Sequence, residues 1–245
     1  MTMSLLSTDS SPAKASPVAF AHVDTWVFDL DNTLYPPGLD LWRQIDMRMR
    51  SYIAEYLGLS LDDAFALQKS YYRKYGTSLR GLMIEHGMDP DPFLANAHAI
   101  DLASLDPAPA LGAAIGALPG RKLIYTNGSR RHAEQVLDKL GITEHFADVH
   151  DIVAAEFHPK PQEAAYRGFL ARFDVDPGRA AMFEDLARNL EVPAQLGMRT
   201  VLVVPPLQAA APADREAWEN EGFDSAHIDV VTDDLAAFLA GLRAG

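Results

Sequence analysis

Two aspartates, Asp29 and Asp31, stand one residue apart at the end of the apolar run Thr25–Leu30. A carboxylate in the first position can attack phosphorus and hold a phosphoryl group covalently. A second acid two residues further on can protonate the leaving oxygen and later deprotonate a water molecule. The pair alone is weak evidence, because an aspartate at the end of a strand often only caps a turn.

Two further segments carry groups that can bind phosphate. Thr126 and Asn127 end a second apolar run and precede a predicted helix, whose free N–H groups attract anions. Thr126 can donate to a phosphate oxygen and Asn127 can orient the same group, although N-capping explains Asn127 equally well. Lys160 lies on a turn restricted by Pro159 and Pro161. Its ammonium group can neutralise phosphate, although a single lysine is usually a surface charge.

A pair of acids, Glu184 and Asp185, ends another apolar run directly before a predicted helix. Magnesium prefers hard oxygen ligands and is usually held by one or two carboxylates and several waters. Asp185, Asp29 and the carbonyl oxygen of Asp31 would supply such ligands, and Glu184 could bind directly or through water. Helix N-capping by Asp185 is the alternative explanation.

Six short apolar runs are predicted to be strands, and they alternate with helical patterns. The predicted strands are Thr25–Leu30, Leu123–Thr126, Val149–Val153, Ala181–Glu184, Thr200–Val204 and Val230–Thr232. The predicted helices after them include His132–Leu140, Ala164–Phe173 and Leu186–Leu196. This alternation predicts an α/β fold with a doubly wound parallel sheet. In such a sheet all the chemical groups above project to one edge, and their joint occurrence outweighs the separate capping explanations.

One block interrupts the alternation between the first and second strands. Residues 39–105 show helical periodicity, with Gly58, Gly76 and Gly87 as predicted helix ends. We therefore predict a disordered N-terminal tail at residues 1–22, an α/β core at residues 23–38 and 106–245, and an all-helical cap at residues 39–105.

The ordered set of motifs resembles the haloacid dehalogenase superfamily of phosphohydrolases, over about Val23 to Phe238. The resemblance implies a Rossmann-like core with an inserted cap and Mg²⁺ as cofactor. It implies that Asp29 is the nucleophile, that Asp31 is the general acid/base, and that Lys160 assists them. The implied phosphate-binding residues are Leu30, Thr126, Asn127 and Lys160. The implied metal site consists of Asp29, Asp31, Glu184 and Asp185.

Two further segments resemble the pyrimidine 5′-nucleotidase group of that superfamily. They are Asp29-Leu30-Asp31-Asn32-Thr33-Leu34-Tyr35-Pro36 and Tyr75-Gly76-Thr77-Ser78-Leu79-Arg80-Gly81-Leu82. The Phe183-Glu184-Asp185 sequence with Asn189 also fits, although an Asp-Asp pair is frequent where Glu184-Asp185 stands. This resemblance implies hydrolysis of a nucleoside monophosphate such as UMP or CMP. Trp42, Arg43 and Arg80 are candidate contacts to the leaving group, although such residues more often serve packing or the surface.

Several other functions compete with this one. The same catalytic set would hydrolyse phosphoglycolate or a sugar phosphate, or transfer the phosphoryl group to an alcohol as a mutase does. A 2-haloacid dehalogenase needs the nucleophile but neither the leaving-group acid nor magnesium, so Asp31 and the Glu184-Asp185 pair argue against it. A non-catalytic scaffold is disfavoured because Asp29, Asp31, Lys160 and Asp185 are all present. A P-loop kinase is disfavoured because the Gly-x4-Gly-Lys-Ser/Thr sequence does not occur.

Composition limits the partners. The formal net charge is −13 and no long basic run occurs, which argues against a nucleic-acid polymer as partner. No apolar run is long enough for a membrane span, and cysteine is absent, which is compatible with a reducing cytoplasm. We predict a cytoplasmic monomer or homodimer. The scattered histidines are interpreted as surface or structural residues, and the segment Asp214–Glu221 as a solvated helix face.

Overall fold

Six parallel strands form the centre of the molecule, and the computed structural model describes residues 20–205 and 222–242. The strands are β1 (Thr25–Phe28), β2 (Arg121–Tyr125), β3 (Asp148–His150), β4 (Ala180–Glu184), β5 (Arg199–Val203) and β6 (Val230–Thr232). Their order in the sheet is β3-β2-β1-β4-β5-β6, and each neighbouring pair is parallel. The winding direction therefore reverses at β1, and the predicted doubly wound parallel sheet is confirmed. In such sheets the ligand crevice lies beyond the carboxyl ends of the strands at this reversal.

The sheet is buried on both faces, which explains why its central strands β1 and β4 are mostly apolar. Side chains alternate between the faces, so that Phe28 belongs to one hydrophobic cluster and Val27 to the other. Phe28 stacks on Phe183 of β4, with ring centroids 4.5 Å apart and planes 12° from parallel. This packing fixes the end of β1 beside the end of β4.

Nine helices are found among the described residues, in addition to short 3₁₀ turns. They are α1 (Leu41–Leu57), α2 (Leu61–Tyr75), α3 (Ser78–His86), α4 (Pro90–Ala97), α5 (Pro109–Gly116), α6 (Arg130–Leu140), α7 (Glu163–Phe173), α8 (Glu191–Leu196) and α9 (Leu235–Gly241). None of the helices in residues 20–205 and 222–242 has the length and apolar character needed to cross a membrane.

Helices α1 to α4, called here the inserted helices, lie between β1 and β2 in the chain. They share a hydrophobic cluster that includes Ile53, Leu82 and Phe93, together with Ile152 from the segment after β3. Gly58, Gly76 and Gly87 end the first three of these helices with positive φ, as predicted. The cluster gives the inserted helices a hydrophobic core of their own. The division of the chain into an α/β core domain and a cap domain stays a prediction.

Three details differ from the sequence predictions. The third strand ends at His150 rather than Val153, because both carboxylate oxygens of Asp151 accept backbone N–H groups and turn the chain. The predicted helix Leu186–Leu196 is a 3₁₀ turn at Ala187–Leu190 followed by α8. Phe20 falls within the predicted tail but is buried against Trp26 and Phe238.

Two predicted segments fall where the chain is not described. Residues 1–19, which make up most of the predicted tail, lie outside the described residues. So does the predicted helix face Asp214–Glu221.

Candidate active site

Asp29 follows β1 directly and is buried, with 6% of its surface exposed. Its backbone N–H donates to the carbonyl oxygen of Phe183 at 2.9 Å, which extends the contact between β1 and β4. One carboxylate oxygen accepts from Lys160 Nζ at 2.6 Å and the other from Thr33 Oγ1 at 3.2 Å. The sheet thus presents this carboxylate at the ligand edge in a fixed orientation.

Lys160 is 1% exposed and donates to three acceptors. They are Asp29 Oδ1 at 2.6 Å, Glu184 Oε1 at 2.7 Å and the carbonyl oxygen of Tyr125 at 3.0 Å. Burial lowers the pKa of Lys160, but the charges of Asp29 and Glu184 outweigh burial and hold this pKa above its usual value. The lysine is therefore a charged link between the ends of β1, β2 and β4, not a solvated surface group.

Asn127 holds the backbone that carries this lysine. Its Oδ1 accepts from Lys160 N at 2.9 Å, and its Nδ2 donates to Lys160 O at 3.3 Å. Gly76, at the end of α2, packs against the same turn, and a Cβ atom there would lie 2.9 Å from Pro159 Cγ. The amide of Asn127 is thus occupied by the lysine turn, which makes it a positioning group.

Thr126 and Leu30 lie just beyond the ends of β2 and β1, near Asp29. Thr126 is buried, and its Oγ1 accepts from Gly128 N at 2.9 Å, which leaves the hydroxyl hydrogen to donate elsewhere. Leu30 packs its side chain into the core, so a phosphate contact from this residue would use its backbone N–H. Thr126 lines the cavity together with Lys160, whereas Leu30 is absent from its lining.

Asp29, Glu184 and Asp185 form a buried acidic cluster, with one carboxylate oxygen of each lying within 4.8 Å of the others. Burial raises the pKa of Asp29 to about 7, although the Lys160 charge acts in the opposite direction. Three carboxylates beside a single ammonium leave excess negative charge, and hard oxygen ligands suit a divalent cation. The cluster could therefore hold one, with Asp29 and Asp185 as its carboxylate ligands.

Glu184 has less freedom to bind a metal directly. Its Oε1 accepts from both Lys160 and Asn189, and its Oε2 accepts from Leu186 N at 2.8 Å. Burial favours the protonated acid, but the Lys160 charge outweighs burial and lowers the pKa of Glu184. Glu184 is thus an ionised group that holds Lys160, and both of its oxygens already accept hydrogen bonds.

Asp31 belongs to a separate hydrogen-bonded group. Its Oδ1 accepts from Tyr35 Oη at 2.5 Å and contacts His132 Nε2 at 2.7 Å. Burial raises the pKa of Asp31, but the charge and hydrogen bond of His132 outweigh burial and bring this pKa to about 2. Asp31 is therefore an ionised carboxylate with a proton-bearing neighbour.

Two of the histidines, which were predicted to be surface or structural residues, lie beside Asp31 in the interior. His132 is fully buried against Asp31, and His98 stacks on it with ring centroids 4.5 Å apart. Burial lowers the pKa of His98 to about 4, and the charge of His132 adds to this effect. A signal for His132 was available, because it lies in the first turn of the helix that follows the Thr126-Asn127 segment.

A cavity of about 140 Å³ lies between the sheet edge and the inserted helices. Asp29, Asp31, Lys160 and Asp185 line one end, and Trp42 lines the wall, so its predicted contact with a leaving group stays a prediction. Arg43 and Arg80 are absent from the lining, so the prediction that they face a ligand is not supported. Arg43 is exposed and paired with Asp40, because α1 turns this position away from the cavity.

The chain belongs to the haloacid dehalogenase-like hydrolase family, whose family model matches residues 23–197. The match contains Asp29, Asp31, Thr126, Lys160 and Asp185. The protein is thus a hydrolase of this family.

One curated relative is the Saccharomyces cerevisiae (strain ATCC 204508 / S288c) protein named phosphate metabolism protein 8. It is 28% identical, over 57% of this chain and 45% of the yeast protein. The chain thus spans less than half the length of this relative.

Solved structures with the same fold include a dehalogenase, a phosphatase and a hydrolase. L-2-haloacid dehalogenase from Xanthobacter autotrophicus has a TM-score of 0.55 and 15% identity, with 90% of this chain and 98% of that chain covered. A HAD phosphatase from Thermococcus onnurineus has a TM-score of 0.56 and 17% identity, with the same coverage. A HAD family hydrolase from Deinococcus radiodurans R1, with bound phosphate and sodium, has a TM-score of 0.51 and 20% identity, with 91% and 98% covered.

Proposed function

We propose that this hydrolase is a magnesium-dependent phosphomonoesterase that works through an aspartyl-phosphate on Asp29. The observation that carries the proposal is that two carboxylates with different charged and hydrogen-bonding neighbours lie at one sheet edge. Asp29 is buried between the Lys160 ammonium and the acids Glu184 and Asp185. Asp31 stands two residues away with its own hydrogen-bond donors, Tyr35 and His132.

In the first half of the reaction, a carboxylate oxygen of Asp29 attacks phosphorus and the bond from phosphorus to the leaving oxygen breaks. His132 passes a proton to Asp31, and Asp31 delivers it to the leaving oxygen. Because the resting Asp31 is ionised, the proton-donating unit is the Asp31–His132 pair and not the aspartate alone. Thr126 and Lys160 donate to the phosphoryl oxygens and stabilise the charge that develops on them.

In the second half, water attacks phosphorus of the acyl phosphate, and Asp31 accepts the proton of that water. The bond between phosphorus and the Asp29 oxygen then breaks, which releases phosphate and restores the carboxylate. Asp29 and Asp185 would hold a magnesium ion, which supplies charge neutralisation for the phosphoryl group when bound. Glu184 keeps Lys160 in place throughout, because it holds the ammonium from the opposite side.

The proposed substrate is a pyrimidine nucleoside 5′-monophosphate, UMP or CMP. Support comes from the likeness of the Asp29–Pro36 and Tyr75–Leu82 segments to the nucleotidase group. The yeast relative is named for phosphate metabolism, and the Deinococcus structure contains bound phosphate, so both accord with phosphorus chemistry. The fold alone does not separate phosphatase from dehalogenase, and the donors on Asp31 favour the phosphatase because dehalogenation needs no leaving-group acid.

Phosphate release from a substrate panel tests this proposal. The panel contains UMP, CMP, AMP, phosphoglycolate, a hexose phosphate and p-nitrophenyl phosphate, with L-2-chloropropionate for halide release. We expect UMP or CMP to have the highest kcat/KM and EDTA to stop turnover. Preference for another ester would overturn the nucleotide assignment alone. Halide release without phosphate release would overturn the phosphatase assignment.

Metal binding is expected to depend on pH. Because the Asp29 pKa is raised in the folded state, the metal-free protein loses stability as pH rises from about 4 towards 7. A divalent cation must displace this proton, so its apparent affinity should fall about tenfold for each pH unit below 7. Thermal unfolding with and without MgCl₂ measures this as a shift in Tm that is larger at pH 8 than at pH 5.5.

A matched pair of variants controls the metal experiment. Asp185→Asn should remove most of the magnesium-dependent shift in Tm at pH 8. Asp138→Asn makes the same chemical change on the exposed face of α6 and should keep the full shift. Equal shifts for these two variants, or equal shifts at both pH values, would place the metal elsewhere.

A further inference from the structure

The wall of the cavity that faces the sheet edge contains a hydrogen-bonded group of three polar side chains from α1 and α2. Asp46 of α1 accepts from Gln68 Nε2 at 2.8 Å and from Lys69 Nζ at 3.0 Å, both of α2. Gln68 is 1% exposed, and all three side chains line the same cavity as Asp29. We call Asp46, Gln68 and Lys69 the cap triad.

The cap triad has hydrogen-bonding capacity that the described protein does not use. Gln68 Oε1 is buried and has no hydrogen-bond partner among the described residues. The orientation of this amide is fixed, because a carboxylate only accepts and Nε2 must therefore face Asp46. Lys69 has three N–H donors, and its described hydrogen bond to Asp46 uses one of them. A buried acceptor without a partner costs stability, which a ligand donor would recover.

The charges of the cap triad define what kind of ligand group it suits. Asp46 and Lys69 form an ion pair, so the triad carries no net charge. Away from the catalytic end, no other Asp, Glu, Lys or Arg of the described residues 20–205 and 222–242 lines this cavity. A leaving group with a carboxylate or a second phosphate would find no unpaired cation here. A neutral group that has an N–H donor beside a carbonyl acceptor would satisfy both Gln68 and Lys69.

We propose that the cap triad is the specificity site for the base of a pyrimidine nucleotide. This inference rests on the proposed function, because it takes the phosphate to lie at Asp29. Gln68 Oε1 accepts from N3–H of uracil or from the exocyclic amine of cytosine, and Lys69 donates to a neighbouring base acceptor. The rings of Trp42, Tyr72 and Phe93 line the same cavity and offer flat apolar surface for the base.

The chemical test compares UMP with N3-methyl-UMP, in which a methyl group replaces the proposed donor. A binding site built around a hydrogen bond discriminates strongly against an analogue that leaves its polar group unpaired. We expect the unaltered enzyme to prefer UMP by at least about tenfold in kcat/KM. Equal kcat/KM values for the two esters would overturn the proposal. This comparison uses only the unaltered enzyme, so its outcome does not depend on whether a variant folds.

The genetic test asks whether Gln68 is the source of that preference. Gln68→Met keeps the length of the side chain but removes the acceptor, and its preference for UMP over N3-methyl-UMP should fall below about threefold. Lys74→Met is the matched control on the same helix, because Lys74 is exposed and does not line the cavity. It should keep the full preference. A Gln68→Met enzyme that still discriminates tenfold would overturn the proposal.

Hydrolysis of p-nitrophenyl phosphate in the same assay separates this inference from the proposed function. If no ester is hydrolysed, the phosphatase proposal fails and the inference fails with it. If p-nitrophenyl phosphate is hydrolysed but the nucleotides are not, the phosphatase stands and the cap triad has another purpose. If UMP is hydrolysed and N3-methylation has no effect, only the cap triad proposal fails.

Discussion

Replacement of Asp29 by asparagine is expected to reduce phosphate release from every phosphomonoester by at least about a thousandfold. The amide is a poor nucleophile and cannot form the acyl phosphate. The variant should fold, because a neutral group replaces one of three crowded acids while Lys160 keeps Glu184 as its partner. Steady-state kinetics measures the loss, and a cooperative thermal transition confirms that the fold is retained.

Asp151→Asn is a suitable control for this change. Asp151 is also a buried aspartate near the sheet edge, but its carboxylate accepts backbone N–H groups of Arg130 and Ala154 and does not line the cavity. Asp151→Asn should therefore retain at least about a tenth of the activity. An Asp29→Asn enzyme as active as this control would rule out nucleophilic catalysis by Asp29.

Lys160→Met is expected to lower both activity and stability. The substitution removes the ammonium that touches Asp29 and Glu184 and leaves two buried acids without their cation. Loss of one partner from a buried ion pair destabilises a protein by about 3–5 kcal/mol. Activity should fall at least about a hundredfold, because a donor to the phosphoryl oxygens is lost. Urea unfolding and steady-state kinetics measure the two effects.

A double variant separates the two consequences of this loss. Glu184→Gln in the Lys160→Met background removes one unpaired acid, so we expect it to restore about 1–3 kcal/mol of stability. Activity should stay low, because the ammonium is still missing. Lys139→Met, on the exposed face of α6, should change stability by less than about 0.5 kcal/mol. Recovery of activity in the double variant would contradict the assigned contact between Lys160 and the substrate.

The convergence of the acidic and phosphate-binding candidates at one sheet edge was predictable because parallel strands impose a simple geometry. Asp29, Thr126 and Glu184 each stand at or just after the end of an apolar strand, and such ends meet at one edge. Strand geometry does not account for the reach of Lys160 to this edge, because Lys160 lies on a turn after β3 and not at the end of a strand. Its burial follows from a tertiary contact, the pairing of the Asn127 amide with its backbone.

The residues that sequence reasoning missed depend on contacts between distant segments. His132 contacts Asp31 across 101 positions of the chain, and neither residue indicates the other by its spacing. Lys69 falls on the buried face of α2 because Asp46 of α1 neutralises it, and helical periodicity alone assigns a lysine to the surface. Arg43 was predicted as a ligand contact for its charge, but the rotation of α1 directs it to Asp40 instead.

The prediction of where strands and helices begin and end was also limited, because local side-chain hydrogen bonds shift these boundaries. The apolar run Val149–Val153 predicts one strand, but the side chain of Asp151 competes for backbone N–H groups and ends it early. In Leu186–Leu196, the hydrogen bond from Leu186 N to Glu184 ties the start of the segment to the site, and the α-helix begins only at Glu191. Both deviations lie beside the catalytic edge.

Trapping of the covalent intermediate tests the central claim most directly. The enzyme is mixed with magnesium and an excess of UMP that carries a radiolabel in its phosphate group. The reaction is quenched in acid during turnover, and the protein is digested for peptide mapping. The account predicts a labelled, hydroxylamine-sensitive phosphoryl group on the peptide that contains Asp29, and no label in Asp29→Asn. Steady turnover without label, or label on a peptide that lacks Asp29, would contradict it.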